Sequence, residues 1–119
     1  MTAVTALTWI AVCPLARLQP ERGVAALLPG GVQVAVFRTH DGVLYALSNL
    51  DPFSGAAVLS RGIAGDRSGI PTVASPMHKQ VFALATGICL DDPDVRVPVF
   101  MVRSRDGLVE VAFPGRPGL

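Results

Sequence analysis

At 119 residues the chain has the length of one domain, and half of its residues are hydrophobic while 16% are charged, which excludes a disordered chain. The formal net charge is +1 at pH 7, and Lys and Arg are scattered without a basic run, so nothing points to nucleic acid. No apolar stretch reaches about 18 residues, and the first residues lack a basic segment followed by a long apolar one. Neither a membrane span nor a secretory signal is therefore expected, and the cytoplasm is the expected compartment.

The elements read as all-β in chain order. Trp9-Ile10-Ala11-Val12 predicts a short first strand. Pro14 to Pro20 predicts a turn bracketed by prolines, with room for one helical turn. Gly23–Leu28 and Val32–Arg38 predict two strands joined through Pro29-Gly30-Gly31, a hairpin signal because Gly tolerates the positive φ of tight turns. Val43–Ser48 follows across His40-Asp41-Gly42, where Asp-Gly between apolar runs is a second hairpin signal and His40 a solvated turn residue.

From Asn49 to Asp92 the pattern changes to short strands, many glycines and prolines at loop entries. Ala56–Ser60 suggests one turn, and Arg61 to Ile70, with Gly62, Gly65 and Gly69, predicts a flexible connector. Pro71–Ala74 and Gln80–Leu84 predict strands, and Thr86-Gly87 another turn. Asp91-Asp92-Pro93-Asp94 lacks the spaced acceptors of a calcium loop and reads as a turn. Val95–Arg103 predicts a longer strand in which Pro98, unable to donate a ladder hydrogen bond, belongs at an edge or bulge. Asp106-Gly107 closes a last hairpin onto Leu108–Ala112, and 114–119 is expected to be a flexible tail. No helix longer than two turns is required.

The chemistry-bearing residues are few. Cys13 and Cys89 are not in a Cys-x-x-Cys pair and are expected to be free thiols. No phosphate-binding glycine loop is present, and Ser75 near His78 is too little for a triad.

Two loops remain, Asp51-Pro52-Phe53-Ser54-Gly55 and Ser75-Pro76-Met77-His78-Lys79, framed by Leu59, Phe82, Thr86-Gly87 and Leu90. They resemble the cluster-binding loops of a Rieske iron–sulfur domain, which supply Cys-x-His and Cys-x-x-His to a [2Fe–2S] centre. In that resemblance Asp51 and Ser75 stand at the Cys positions, Phe53 at a His position, and only His78 keeps its ligand. The wider stretches Asp51–Asp66 and Val73–Pro93 resemble the small-subunit family of NAD(P)H-dependent assimilatory nitrite reductase, whose members lack the cluster ligands. The resemblance runs from about Trp9 to Phe113.

The resemblance implies a Rieske-like antiparallel β-sandwich with a small inserted β subdomain. Residues 1–48 and 93–113 would form the larger core, and 49–92 the insert. It also implies an accessory subunit with no catalytic centre and no cofactor of its own, bound to a large subunit that carries FAD, siroheme and an iron–sulfur cluster and reduces nitrite to ammonium. Oxygen donors do not replace thiolates for such a cluster, and Phe53 cannot ligate. Its ring is expected to fill the volume the cluster would take. Phe53, Met77, His78 and Lys79 are the expected partner contacts. Two alternatives stand beside this reading: a free-standing clusterless module serving another oxidoreductase or a regulatory partner, and a mononuclear metal site built from Asp51, His78 and water.

Overall fold

The structure, a computed structural model, describes residues 7–114. Ten strands occur among them: β1 Leu7–Pro14, β2 Arg22–Leu28, β3 Val32–Arg38, β4 Leu44–Ser48, β5 Ile63–Arg67, β6 Ile70–Ala74, β7 Val81–Ala83, β8 Val99–Phe100, β9 Val102–Arg105 and β10 Leu108–Pro114. Single 3-10 turns cover Leu15–Arg17 and Leu59–Arg61, and Pro29–Gly31 makes the β2–β3 turn with Gly30 and Gly31 at φ +82° and +81°. The strands form three antiparallel sheets in the orders β1-β10-β9, β2-β3-β4-β8 and β5-β6-β7.

The four-stranded sheet lies in the middle. Strand β3 is buried along Val34-Ala35-Val36-Phe37. Alternate side chains of a strand point to opposite faces, so a continuous buried run means that both faces are covered. Val34 and Val36 join Leu18, Leu28, Ala46, Val109 and Val111 on one face. Ala35, Phe37 and Leu47 join Leu59, Val73, Phe82, Leu84, Cys89 and Val97 on the other. The first layer is closed by β1 and β10, the second by the β5-β6-β7 sheet and its loops. Two cores on one central sheet account for so apolar a chain. Each large side chain taken fully from water contributes on the order of 1.5–3 kcal/mol.

Two segments differ from the sequence reading. Arg61 to Ile70 is not a flexible connector: Ile63–Arg67 is strand β5, paired with β6 in register Ile63↔Ala74 to Arg67↔Ile70. Its glycines have separate local causes. A Cβ on Gly62 would sit 2.4 Å from the Ala74 carbonyl oxygen, and Gly69 holds φ +86° beside Ser68 at φ +53° in the β5–β6 turn. Two consecutive positive φ values are what a two-residue hairpin turn needs.

The other segment is Val95–Arg103, which is not one strand. Val95–Val97 lies outside the sheets and meets the insert through an Ile88↔Arg96 bridge, with the Val97 amide donating to Gly87 O at 2.9 Å. Pro98 then precedes the short edge strand β8, and its carbonyl accepts the Ser48 amide at 2.9 Å. Met101 breaks the ladder, and β9 continues in the β1-β10-β9 sheet. The missing amide of Pro98 and the change of sheet at Met101 divide what the composition shows as one apolar run.

Cys13 is half-buried, Cys89 is fully buried, and both are free thiols. Burial pushes the Cys13 thiol above its ordinary pKa. Pro114 ends β10 opposite Leu7, and residues 115–119 of the expected tail lie outside the described residues.

Candidate functional site

The two loops have one backbone design. In the first, the Asp51 amide donates to Ala56 O at 2.8 Å and the Gly55 amide to Asp51 O at 2.7 Å. In the second, the Ser75 amide donates to Gln80 O at 2.9 Å and the Lys79 amide to Ser75 O at 3.0 Å. Each loop opens with a side-chain acceptor two residues before a free amide: Asp51 Oδ1 accepts Phe53 N–H at 2.8 Å, and Ser75 Oγ accepts Met77 N–H at 3.2 Å. Such turns are what Asp and Ser side chains form ahead of a chain reversal. The pattern recurs at Ala83–Ile88, where the Ala83 amide donates to Ile88 O and the Gly87 amide to Ala83 O.

Gly55 and Lys79 occupy equivalent places, at φ +77° and +64°. A side chain in this left-handed region costs about 1–2 kcal/mol, which Gly avoids. Lys79→Gly is therefore expected to raise stability by roughly 0.5–1 kcal/mol, after the greater freedom of Gly in the unfolded chain is subtracted. Chemical denaturation of the two proteins measures it.

The loops are joined at their first residues. Asp51 is 0% exposed and Ser75 1% exposed. The Ser75 hydroxyl donates to Asp51 Oδ2 at 2.5 Å. Burial acts to raise the Asp51 pKa, but the bonds from the Ser75 hydroxyl, the Phe53 amide and Ser54 outweigh it, so the carboxyl lies below its ordinary range. A buried carboxylate is thus the centre that both loops are tied to.

Sequence reasoning missed Asn49, 1% exposed, which holds the base of the first loop. Its Nδ2 donates to Ala57 O at 3.1 Å and Gln33 Oε1 at 3.2 Å, and its Oδ1 accepts the Ser60 amide at 2.7 Å. A polar residue ending an apolar strand and entering a loop was the available signal. Asp91, read as a turn residue, caps β7 by accepting the Val81 amide at 2.9 Å and pairs with Arg67 at 3.1 Å. Both pair members are about half exposed, so the ion pair itself contributes little.

Phe53 is half-buried, its ring centroid 6.2 Å from that of Phe82 at an interplanar angle of 50°. It packs against the core that contains Phe82, Leu59 and Val73. Pro52, Pro76, Met77, His78 and Lys79 are exposed around the joined loops. The sequence-named positions thus divide into three: Asp51 and Ser75 meet each other, Phe53 turns into the core, and Met77, His78 and Lys79 face outward.

This arrangement does not fit a [2Fe–2S] cluster. Its irons need two thiolates and two imidazoles. Asp51 and Ser75 offer oxygens already committed to each other and to loop amides, Phe53 offers carbon, and one imidazole remains. Among the described residues no three or more His, Cys, Asp and Glu side chains gather as a metal site, and the Asp51 carboxylate already accepts from the Ser75 hydroxyl and the Phe53 amide.

The Rieske-like [2Fe–2S] domain model matches residues 8–112. The nitrite reductase (NADH) small subunit of Escherichia coli K12 is 42% identical over 104 residues, 87% of this chain and 95% of that one. The chain belongs to the nitrite reductase small-subunit family of Rieske-like domains. A crystal structure assigned as the NADH-dependent small subunit from Mycobacterium tuberculosis is 52% identical, with a TM-score of 0.88 over 91% of this chain and 96% of that one. The chain is also similar to part of a longer protein. The nitrite reductase [NAD(P)H] large subunit of Klebsiella oxytoca is 41% identical over 109 residues, 92% of this chain but 11% of its own length. The matched stretch is part of that longer polypeptide.

Proposed function

We propose that this chain is the clusterless small subunit of an NAD(P)H-dependent nitrite reductase. It binds the large catalytic subunit and supports its assembly, stability or electron flow. Nitrite is reduced to ammonium on the FAD, siroheme and iron–sulfur cluster of that partner, and this chain carries no electrons. NAD(P)H as the reductant makes the cytoplasm the working compartment. Residues 49–92 act as the unit that carries the joined loops, and Met77, His78 and Lys79 contact the partner, with Phe53 contributing only the exposed edge of its ring.

The observation that carries this reading is the Asp51–Ser75 hydrogen bond at 2.5 Å, which closes the two loops on each other where the resemblance sets the two Cys ligands. A direct side-chain bond takes over the joining of the loops that a cluster performs in its ligated relatives. The partner assignment draws on the small-subunit relatives and on the Klebsiella large subunit that contains this domain in its own chain.

Purified protein is expected to hold no stoichiometric iron or acid-labile sulfide by elemental and colorimetric analysis. A reduced sample with a Rieske-type electron paramagnetic resonance signal would refute the clusterless reading. Co-expression with the large subunit is expected to give a complex that survives size-exclusion chromatography.

A further inference from the structure

Between Gly23 and Phe37 the β2–β3 hairpin exposes no charged side chain of its own, and neither does the chain from β4 through the first loop. Gly23–Phe37 contains no Asp, Glu, Lys, Arg or His, and in Leu44–Ser60 the one such residue is the fully buried Asp51. Leu27 is 69% exposed and Leu50 49% exposed. They lie on one continuous surface. Leu27 is directly opposite Gln33 across the β2–β3 ladder, and Gln33 accepts from Asn49, the residue before Leu50. Leu50 in turn bridges to Ala57, which is exposed. A groove of about 280 Å³ is lined by Gly31, Val32, Gln33, Ser48, Leu50 and Ala57. Leu50 thus lines an uncharged groove, and Leu27 stands across the ladder from Gln33 of the same lining, which Asn49 holds by a hydrogen bond.

We infer that this groove and its two leucines seat an uncharged, apolar surface of the large subunit, as a permanent rather than transient contact. The inference rests on the partner proposed above and adds the face that meets it. Charged residues are depleted at the cores of interfaces, and interfaces that stay closed resemble a domain interior cut in half. A groove whose lining carries no charged side chain has that character. A partner bound by steering would instead need exposed charge here. The Klebsiella relative supplies the second argument: there the same domain cannot leave the large subunit, because both are one polypeptide. Covalent union holds the domain beside the large subunit at high effective concentration, the condition under which an apolar face stays covered.

The test compares wild type, Leu27→Glu, Leu50→Glu and the control Leu108→Glu for binding to the purified large subunit by biolayer interferometry. Leu108 is 40% exposed but lies on β10 in another sheet. The expected result is affinity lower by at least about tenfold for Leu27→Glu and Leu50→Glu and unchanged for Leu108→Glu, since an inserted charge must be desolvated on binding. Hydrogen exchange of the wild-type complex is expected to show protection at residues 24–34 and 48–58, a readout that needs no variant to fold. Wild-type affinity in both groove variants, without protection there, overturns the inference and leaves the partner assignment standing. Absence of any wild-type complex overturns both. A concentration-dependent dimer of this chain that Leu27→Glu disrupts, with binding to the large subunit unchanged, overturns it by making a second copy the occupant.

Discussion

Replacing Asp51 by alanine is expected to destabilise the fold by about 2–4 kcal/mol, which is a large share of the roughly 5–15 kcal/mol that holds a domain of this size. The carboxylate accepts the Ser75 hydroxyl at 2.5 Å and the Phe53 amide at 2.8 Å, and it is 0% exposed. Hydrogen bonds to an ionised group contribute about 1.5–3 kcal/mol, and donors left unsatisfied in a buried place cost a further desolvation penalty. Ser75→Ala removes one donor and leaves the Met77 amide without its acceptor, so the expected loss is smaller, on the order of 1–2 kcal/mol. The two losses should not add, because each substitution breaks the same bond. Guanidinium unfolding of both single variants and the double variant measures the coupling.

The same residue gives a pH signature. Its pKa in the folded chain is lowered, chiefly because the hydrogen bonds overcome the burial that would raise it. A group with a depressed folded pKa contributes stability that is fully present above its unfolded value, roughly 3.9 for Asp, and is lost as pH falls through the folded value. Wild type is therefore expected to lose stability steadily from about pH 5 downward, and Asp51→Asn to show a flatter profile over that window. Parallel profiles for the two proteins would mean that the carboxylate is not the acid-sensitive link.

The Asp51–Ser75 bond also marks how far the sequence could be read. The loops and the order of most strands were legible, because turn residues and apolar alternation are local properties. Asp51 and Ser75 stood out only as donors of the wrong type. Their 24-residue separation hides that they close on each other, since a long-range side-chain pair leaves no periodic trace. Strand β5 was concealed by the glycines in and around it, two of which have other causes than flexibility: a carbonyl pressed against Gly62 before the strand and a tight turn at Gly69 after it. The division of Val95–Arg103 between two sheets was equally hidden, because an apolar β-rich run looks the same whichever sheet receives it. His78 shows the opposite case: singled out from the sequence, it is exposed at a loop tip.

The largest single loss is expected at Phe82. It is fully buried on β7, opposite Val73 in the ladder, and shares its core with Ala35, Phe37 and Leu47 of the central sheet. Phe82→Ala should cost about 3–5 kcal/mol, because removing a buried ring forfeits its transfer energy and leaves a cavity that a two-sided sheet cannot collapse to fill. Phe53→Ala should cost less, since that ring is half-buried and meets Phe82 only at one side. The pair is expected to be coupled by about 0.5–1.5 kcal/mol in a double-mutant cycle. The destabilisation should also reach beyond the insert. Trp9, the one tryptophan of the chain, lies on β1 with Arg103 3.9 Å above its ring, on the far side of the central sheet from Phe82. If the two cores form one cooperative unit through β3, Trp9 fluorescence and far-UV circular dichroism of Phe82→Ala will shift to the same lower midpoint. A Trp9 transition that stayed at its wild-type midpoint while the dichroism moved would show the insert melting alone, and the central sheet would then be a boundary between two folding units rather than their link.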